Sequence, residues 1–206
     1  MLHDISVAVR VGTPEWPGDA PFACGWTARI ADGSSVNLSC VGGSPHVGTH
    51  ADAPLHVQDG WPAADALALE AFVGEALVVD VSDAPDGPLA LEASDARLDG
   101  VTRLLLRTGR TVATGTFPHG WPVLRADVAE ALAARGLRLL GVDAPSVDER
   151  TSSTLAVHRA LFRGGACVLE NLDLRGVPGG RYELIAPPQR LVGLDAAPVR
   201  AVLRSP

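Results

Sequence analysis

Arg125-Ala126-Asp127-Val128-Ala129-Glu130-Ala131-Leu132-Ala133-Ala134-Arg135 runs directly into Gly136-Leu137-Arg138-Leu139-Leu140-Gly141-Val142-Asp143. The first part predicts a helix over residues 125–135. Val128, Leu132 and the flanking alanines fall at helical spacing, and Gly136 supplies the C-terminal stop. The second part predicts a buried strand over residues 137–142, short, leucine-rich and bounded by turn residues. A helix feeding a strand in this way is an αβ unit. Residues 77–81 and 104–106 predict further buried strands, and residues 182–185 and 199–203 two more. Strands and helices mix without strict alternation, which implies an α/β fold with a mixed sheet.

The 206 residues are 47% hydrophobic and 20% charged, an ordinary globular balance that excludes a disordered or fibrous chain. No repeat, linker or charge block divides them, so residues 1–206 are expected to form one domain. All 17 basic residues are Arg, and the net charge of −7 lacks any basic run. Nucleic acid and anionic membrane are therefore not expected partners. No uninterrupted apolar stretch reaches about 18 residues and the N-terminus lacks a secretory pattern, so a cytoplasmic location is expected. Cys24, Cys40 and Cys167 are odd in number and widely spaced, which predicts small buried thiols and neither disulfides nor a zinc–thiolate site.

Chemistry concentrates elsewhere. Of six histidines, three lie within Pro45-His46-Val47-Gly48-Thr49-His50-Ala51-Asp52-Ala53-Pro54-Leu55-His56. Imidazole and carboxylate donors without thiolate suit Zn²⁺ or Mn²⁺. Gly48 and Pro54 argue against a continuous helix. In an extended chain the even-numbered His46, His50, Asp52 and His56 share one side. Surface or core histidines are the plain alternative, but neighbouring buried imidazoles and a carboxylate need a compensating charge. Downstream, His158 and Glu170 form a second set. Glu170 closes the apolar run from Ala166 to Leu169, an expensive place for a carboxylate unless it is paired or binds metal. Asp143 to Asp148 leaves a strand end, where α/β folds commonly place ligands. His3 and His119 have no such company and read as surface residues.

His46-x-Gly48-Thr49-His50-x-Asp52-x-Pro54-x-His56 resembles the signature H-x-G-T-H-x-D-x-P-x-H of the metal-dependent cyclase family. The similarity runs nearly end to end, through residues 13–19 (Thr-Pro-Glu-Trp-Pro-Gly-Asp), 141–148 and 194–204. These flanking segments are similar to the members that hydrolyse aryl formamides. The resemblance implies a swivelling β/β/α-type domain that assembles as a homodimer or larger homo-oligomer. It also implies two divalent ions, Zn²⁺ or Mn²⁺. His46, His50 and Asp52 match ligands of one ion, and Asp52 also reaches the second. His158 matches a terminal ligand of that second ion, and Glu170 a carboxylate shared by both. His56 matches an acid/base catalyst and Trp16 a substrate-site residue. Two positions depart from the pattern: Ala156 stands where an acidic residue is common, and Arg159 where a second histidine often follows.

The activity implied is hydrolysis of a small molecule, N-formyl-L-kynurenine, to L-kynurenine and formate in tryptophan breakdown. Charge arithmetic agrees, since two divalent ions set against Asp52, Glu170 and a hydroxide leave about one positive charge, which favours an anionic tetrahedral intermediate. His56 could then pass a proton to the departing aromatic amine. The rival expectations are another amide or lactam hydrolase or a dehydratase of the same family, or a non-catalytic metal-binding protein. Retention of His56, which metal alone does not require, weighs against the last.

Overall fold

The computed structural model describes residues 1–205. Its strands are β1 (Leu2–Asp4), β2 (Ala23–Ala28), β3 (Leu38–Gly42), β4 (His50–Asp52), β5 (Val73–Asp80), β6 (Gly87–Pro88) and β7 (Arg103–Arg107). Next come β8 (Pro122–Val123), helix α1 (Ala126–Ala134), β9 (Leu139–Val142), helix α2 (Ala156–Arg163) and β10 (Cys167–Glu170). The chain closes with β11 (Gly180–Ile185), β12 (Ala196–Pro198) and β13 (Val202–Arg204). Nine strands form one sheet in the order β1-β13-β11-β5-β7-β9-β10-β4-β12. Within this sheet the central β5, β7, β9 and β10 run parallel, and every other pairing is antiparallel. This is the mixed α/β sheet the sequence predicts.

Leu104, Leu105 and Leu106 are each at most 1% exposed. They form a continuous apolar run because β7 is covered on both faces. Leu104 and Leu106 pack with Val128 and Leu132 of α1 and Val157 and Leu161 of α2. Leu105 faces the opposite core, with Phe72, Leu139, Leu169, Leu184 and Leu203. Leu184 and Leu203 belong to the same sheet as Leu105, so the sheet curls around this second core. Each leucine so buried contributes about 1.5–3 kcal/mol relative to an exposed one.

Helix α1 spans most of the predicted stretch, and the Gly136 N–H closes it onto Ala133 O. Helix α2 has no counterpart among the sequence expectations, for its start carries no local cap. Leu155 sits in the left-handed region at φ 48°, and the capping carboxylate comes from Asp148, well back along the chain. Residues 199–203 are not one strand. β12 pairs with β4 while β13 pairs with β11, and the chain crosses between them with Val199 N–H bonded to Thr49 O.

The cysteine expectation needs correction. Only Cys167 is buried; Cys24 and Cys40 are exposed. Both lie on the β2–β3 hairpin, which forms its own two-stranded sheet and so offers no core to shelter them. Cys24 stands opposite Val41 and Cys40 opposite Gly25, which places the thiols on opposite faces of the hairpin. His3 is half-buried, edge-on to Tyr182, while His119 is exposed. Among the described residues, no helix is long and apolar enough to cross a membrane.

Candidate metal centre and active site

Strand β4 creates the site. It lies between β10 and β12, with His50 opposite Glu170 and Pro198, and Asp52 opposite Val168 and Ala196. Side chains alternate across a strand, so His50 and Asp52 project to one face with Ala51 turned into the core. Glu170, directly across from His50, projects to that same face. The parity argument holds for this pair only, because β4 is three residues long. His46 lies in the bend before it and His56 in the 3-10 turn Pro54–His56 after it. Gly48 makes the bend possible: its φ is +76°, and a Cβ there would stand 2.3 Å from Val9 Cγ2.

The predicted residues converge. Asp52 is fully buried; its Oδ1 lies 3.0 Å from His46 Nδ1 and 3.2 Å from His50 Nε2, and its Oδ2 lies 3.2 Å from His158 Nε2. His158 Nε2 is also 3.2 Å from Glu170 Oε1. The far side of each imidazole is held. His50 Nδ1 is 2.8 Å from Gly48 O, and His158 Nδ1 is 2.7 Å from Asp148 Oδ2. Such contacts fix ring orientation and turn Nε2 inward. Glu170 Oε1 in turn accepts the Val147 N–H at 2.7 Å.

Asp52 is held well below the usual carboxylate range: burial opposes its charge, but His50, His158 and His46 outweigh burial. Burial likewise opposes charge on His46, yet the neighbouring carboxylates of Asp195 and Asp52 push its pKa up to about 10. His158 is raised well above the ordinary imidazole value, with Asp148, Asp52 and Glu170 overcoming its burial. The site therefore demands positive charge. A second observation points the same way, for His50 Nε2 and Asp52 Oδ1 are buried without a hydrogen-bond partner. Unpaired buried nitrogen and carboxylate oxygen atoms that face one another suit a shared cation. Two donor triads, His46–Asp52–His56 and His50–Asp52–Glu170, each lie within 4.8 Å and share Asp52. Nitrogen and carboxylate oxygen donors without sulfur fit a divalent ion of the zinc or manganese kind.

Above the donors opens a cavity of 630 Å³, lined by His46, His50, His56 and His158 below and by Trp16, Phe117 and Leu155 at its sides. That size falls within the range of about 300–1,000 Å³ typical of small-molecule pockets. Trp16 is 37% exposed at the rim, edge-on to Phe117 at 5.5 Å and to buried Trp121 at 6.1 Å. His56 stands apart from the innermost donors. Its side chain is 30% exposed and its Nδ1 lies 3.2 Å from Asp195 Oδ2.

The cyclase family model matches residues 3–149 of the chain. The chain belongs to the cyclase family. It is 47% identical to the kynurenine formamidase of Salinibacter ruber over 207 aligned residues, covering 98% of this chain and 97% of that one. The kynurenine formamidase of Bordetella avium is 42% identical, again over 98% and 97% of the two chains. Among solved structures, a potential metal-dependent hydrolase with cyclase activity superposes with a TM-score of 0.81 at 27% identity, over 100% of this chain and 99% of the other.

Several residues of this cyclase-family site escape a reading of the sequence. Asp148 and Asp195 orient His158, His46 and His56; the strand-end segment 143–148 contains Asp148, but nothing in the sequence pairs it with His158 ten residues on, or Asp195 with the distant His46 and His56. Asn171 is 5% exposed, adopts φ 54°, lines the cavity and leaves its Oδ1 without a partner. Asp143, by contrast, does not join the donors. It accepts hydrogen bonds from Thr108 and Gly109 and ties β9 to the end of β7. Arg159, one of the two departures, reaches Val57 O, Gln58 Oε1 and Thr154 O, fastening α2 to the turn that carries His56. At the other departure, Ala156, no carboxylate is needed for His158, because Asp148 supplies it.

Proposed function

We propose that the protein hydrolyses N-formyl-L-kynurenine to L-kynurenine and formate, with residues 1–206 acting as one catalytic unit. The observation that carries this reading is an imidazole–carboxylate donor set with unpaired, inward-facing atoms, placed at the floor of an aromatic-sided cavity. The near-full-length likeness to kynurenine formamidases supports the substrate. His46, His50, Asp52, His158 and Glu170 would hold two divalent ions, zinc by donor chemistry, with manganese the alternative. Ions bound there would polarise the formyl carbonyl and acidify water.

The chain's own residues do the rest. Gly48 O and Asp148 keep the ring nitrogens of His50 and His158 aimed at the floor. Asp195 steadies His56 through Nδ1, which leaves Nε2 to carry a proton to the departing anilide nitrogen. Trp16 and Phe117 flank the position an aryl ring would take, a contact worth about 1 kcal/mol. His56 also falls within one of the donor triads. Its greater exposure and its bond to Asp195 favour the acid/base role.

The test is metal analysis beside turnover. Wild-type protein loaded with Zn²⁺ or Mn²⁺ should release kynurenine from N-formylkynurenine, and chelation should abolish this. His50→Ala should lose metal and rate together. His56→Ala should retain metal and lose a factor of about 10²–10⁴ in kcat. Negligible turnover by metal-replete protein overturns the substrate, and full activity in metal-free protein overturns the metal.

A further inference from the structure

The polar groups lining the cavity are imidazoles, neutral hydroxyl or amide groups, and the carboxylates Asp19, Asp195 and Glu170. A substrate carrying an amino-acid carboxylate meets no fixed cation on those walls. One stands just beyond them. The Arg150 guanidinium lies over the Phe117 ring, 5.5 Å from its centroid, and Phe117 is a cavity wall in edge contact with Trp16. Its only side-chain hydrogen-bond partner among the described residues is His119 Nδ1 at 3.5 Å, and it has no carboxylate within ion-pair distance there.

The nearby arginines differ. Arg159 is engaged by Val57 O, Gln58 Oε1 and Thr154 O, and Arg110 by Asp86. Half of the exposed arginines pair with a carboxylate; Arg150, like Arg29 over Trp26, has an aromatic platform instead. The ring contact uses none of the guanidinium's N–H donors, and among the described residues only Nη1 has a hydrogen-bond partner, the distant His119 Nδ1. A guanidinium so presented suits bidentate capture of a carboxylate.

We propose that Arg150 binds the α-carboxylate of the substrate and is the residue that selects an amino-acid aryl formamide over a plain one. The inference rests on the aryl-formamide reading of the site. With the aryl ring beside Trp16 and Phe117, the side chain ortho to the formamide would extend along the Phe117 wall toward Arg150. The contact lies far from the bond that breaks, so it strengthens ground state and transition state alike and acts on KM rather than kcat.

Wild type, Arg150→Met and Arg150→Lys are compared on N-formyl-L-kynurenine and on 2-formamidoacetophenone, which keeps the anilide and ketone but lacks the amino acid. Arg150→Met keeps an apolar stem over Phe117. It should raise KM for N-formylkynurenine about five- to tenfold, the loss expected for one rim-exposed, charge-assisted pair, with kcat little changed. Its kcat/KM for the acetophenone should stay within about twofold of wild type, and Arg150→Lys should recover part of the loss. A second arm needs no turnover: calorimetric titration of L-kynurenine and 2-aminoacetophenone into chelated protein. Arg150→Met should weaken the first and leave the second alone.

An equal loss on both substrates would mean that Arg150 only props the Phe117 wall, and unchanged constants on both would remove it from recognition; either overturns the proposal. If metal-loaded wild type cleaves neither formamide, the aryl-formamide reading fails on its own. The titration still decides Arg150, because kynurenine and 2-aminoacetophenone binding equally well to wild type would overturn the proposal.

Discussion

Replacing Asp148 by Asn tests how the centre is held together. Three N–H donors converge on this carboxylate, which is 3% exposed. Val157 N–H reaches Oδ1 at 2.9 Å, while His158 N–H and His158 Nδ1 reach Oδ2 at 3.0 and 2.7 Å. An asparagine offers one acceptor oxygen and one donor nitrogen. Whichever way its amide turns, an NH₂ group confronts a buried N–H. The variant therefore loses at least one hydrogen bond and the negative charge facing His158. An unsatisfied buried donor costs about 1–3 kcal/mol. For a chain of this length that corresponds to a fall in Tm of roughly 2–12 °C. The loss should appear in chelated protein, since it owes nothing to metal. The second effect is on metal. Without a carboxylate behind it, His158 loses orientation and basicity, which lowers metal affinity about 10–100-fold. Thermal scans of chelated protein measure the first effect, and competition against a chelator of known affinity measures the second. A fall in Tm with affinity unchanged would reduce Asp148 to a cap for α2. No change in either would refute the account of the converging donors.

Other outcomes follow from single features. Trp16→Ala should lower kcat/KM for N-formylkynurenine by about tenfold while metal content stays constant; a loss of metal would place Trp16 in support of the donors instead. In the folded protein a disulfide-exchange reagent should titrate Cys24 and Cys40 but not Cys167, whose thiol burial pushes up to about 11, and denaturant should release the third. Gly141→Ala should destabilise by about 1–3 kcal/mol in denaturant titration, because its Cβ would stand 2.4 Å from Leu105 Cδ2 and 3.0 Å from Leu172 Cδ1.

The parts of the fold that announce themselves in the sequence are those whose burial is decided locally. β5, β7 and β9 are apolar runs covered on two faces, and α1 carries its own periodicity and its own stop. β4 is invisible as a strand, since three residues between a glycine bend and a proline turn make no pattern. The β2–β3 hairpin escapes for the opposite reason: it rests on no core, so nothing forces its residues to alternate. α2 is hidden because its capping group arrives from Asp148. The candidate site divides similarly. His46, His50, Asp52 and His56 betray themselves by crowding, and Glu170 by ending an apolar run. Asp148, Asp195, Asn171 and Arg150 matter only through neighbours that the fold brings to them.

β4 pairs on one side with a strand made long after it and on the other with a strand near the end of the chain. The donors it carries meet His158 from 106 residues away, and His46 meets Asp195 from 149 away. A nascent chain on the ribosome thus holds histidines but no centre until its last strands have emerged and docked. Metal loading would then follow the docking of the segments that carry His158, Glu170 and Asp195. Fragments that end before Glu170 would lack the full donor set, and fragments that end before Asp195 would lack the carboxylate that steadies His46 and His56.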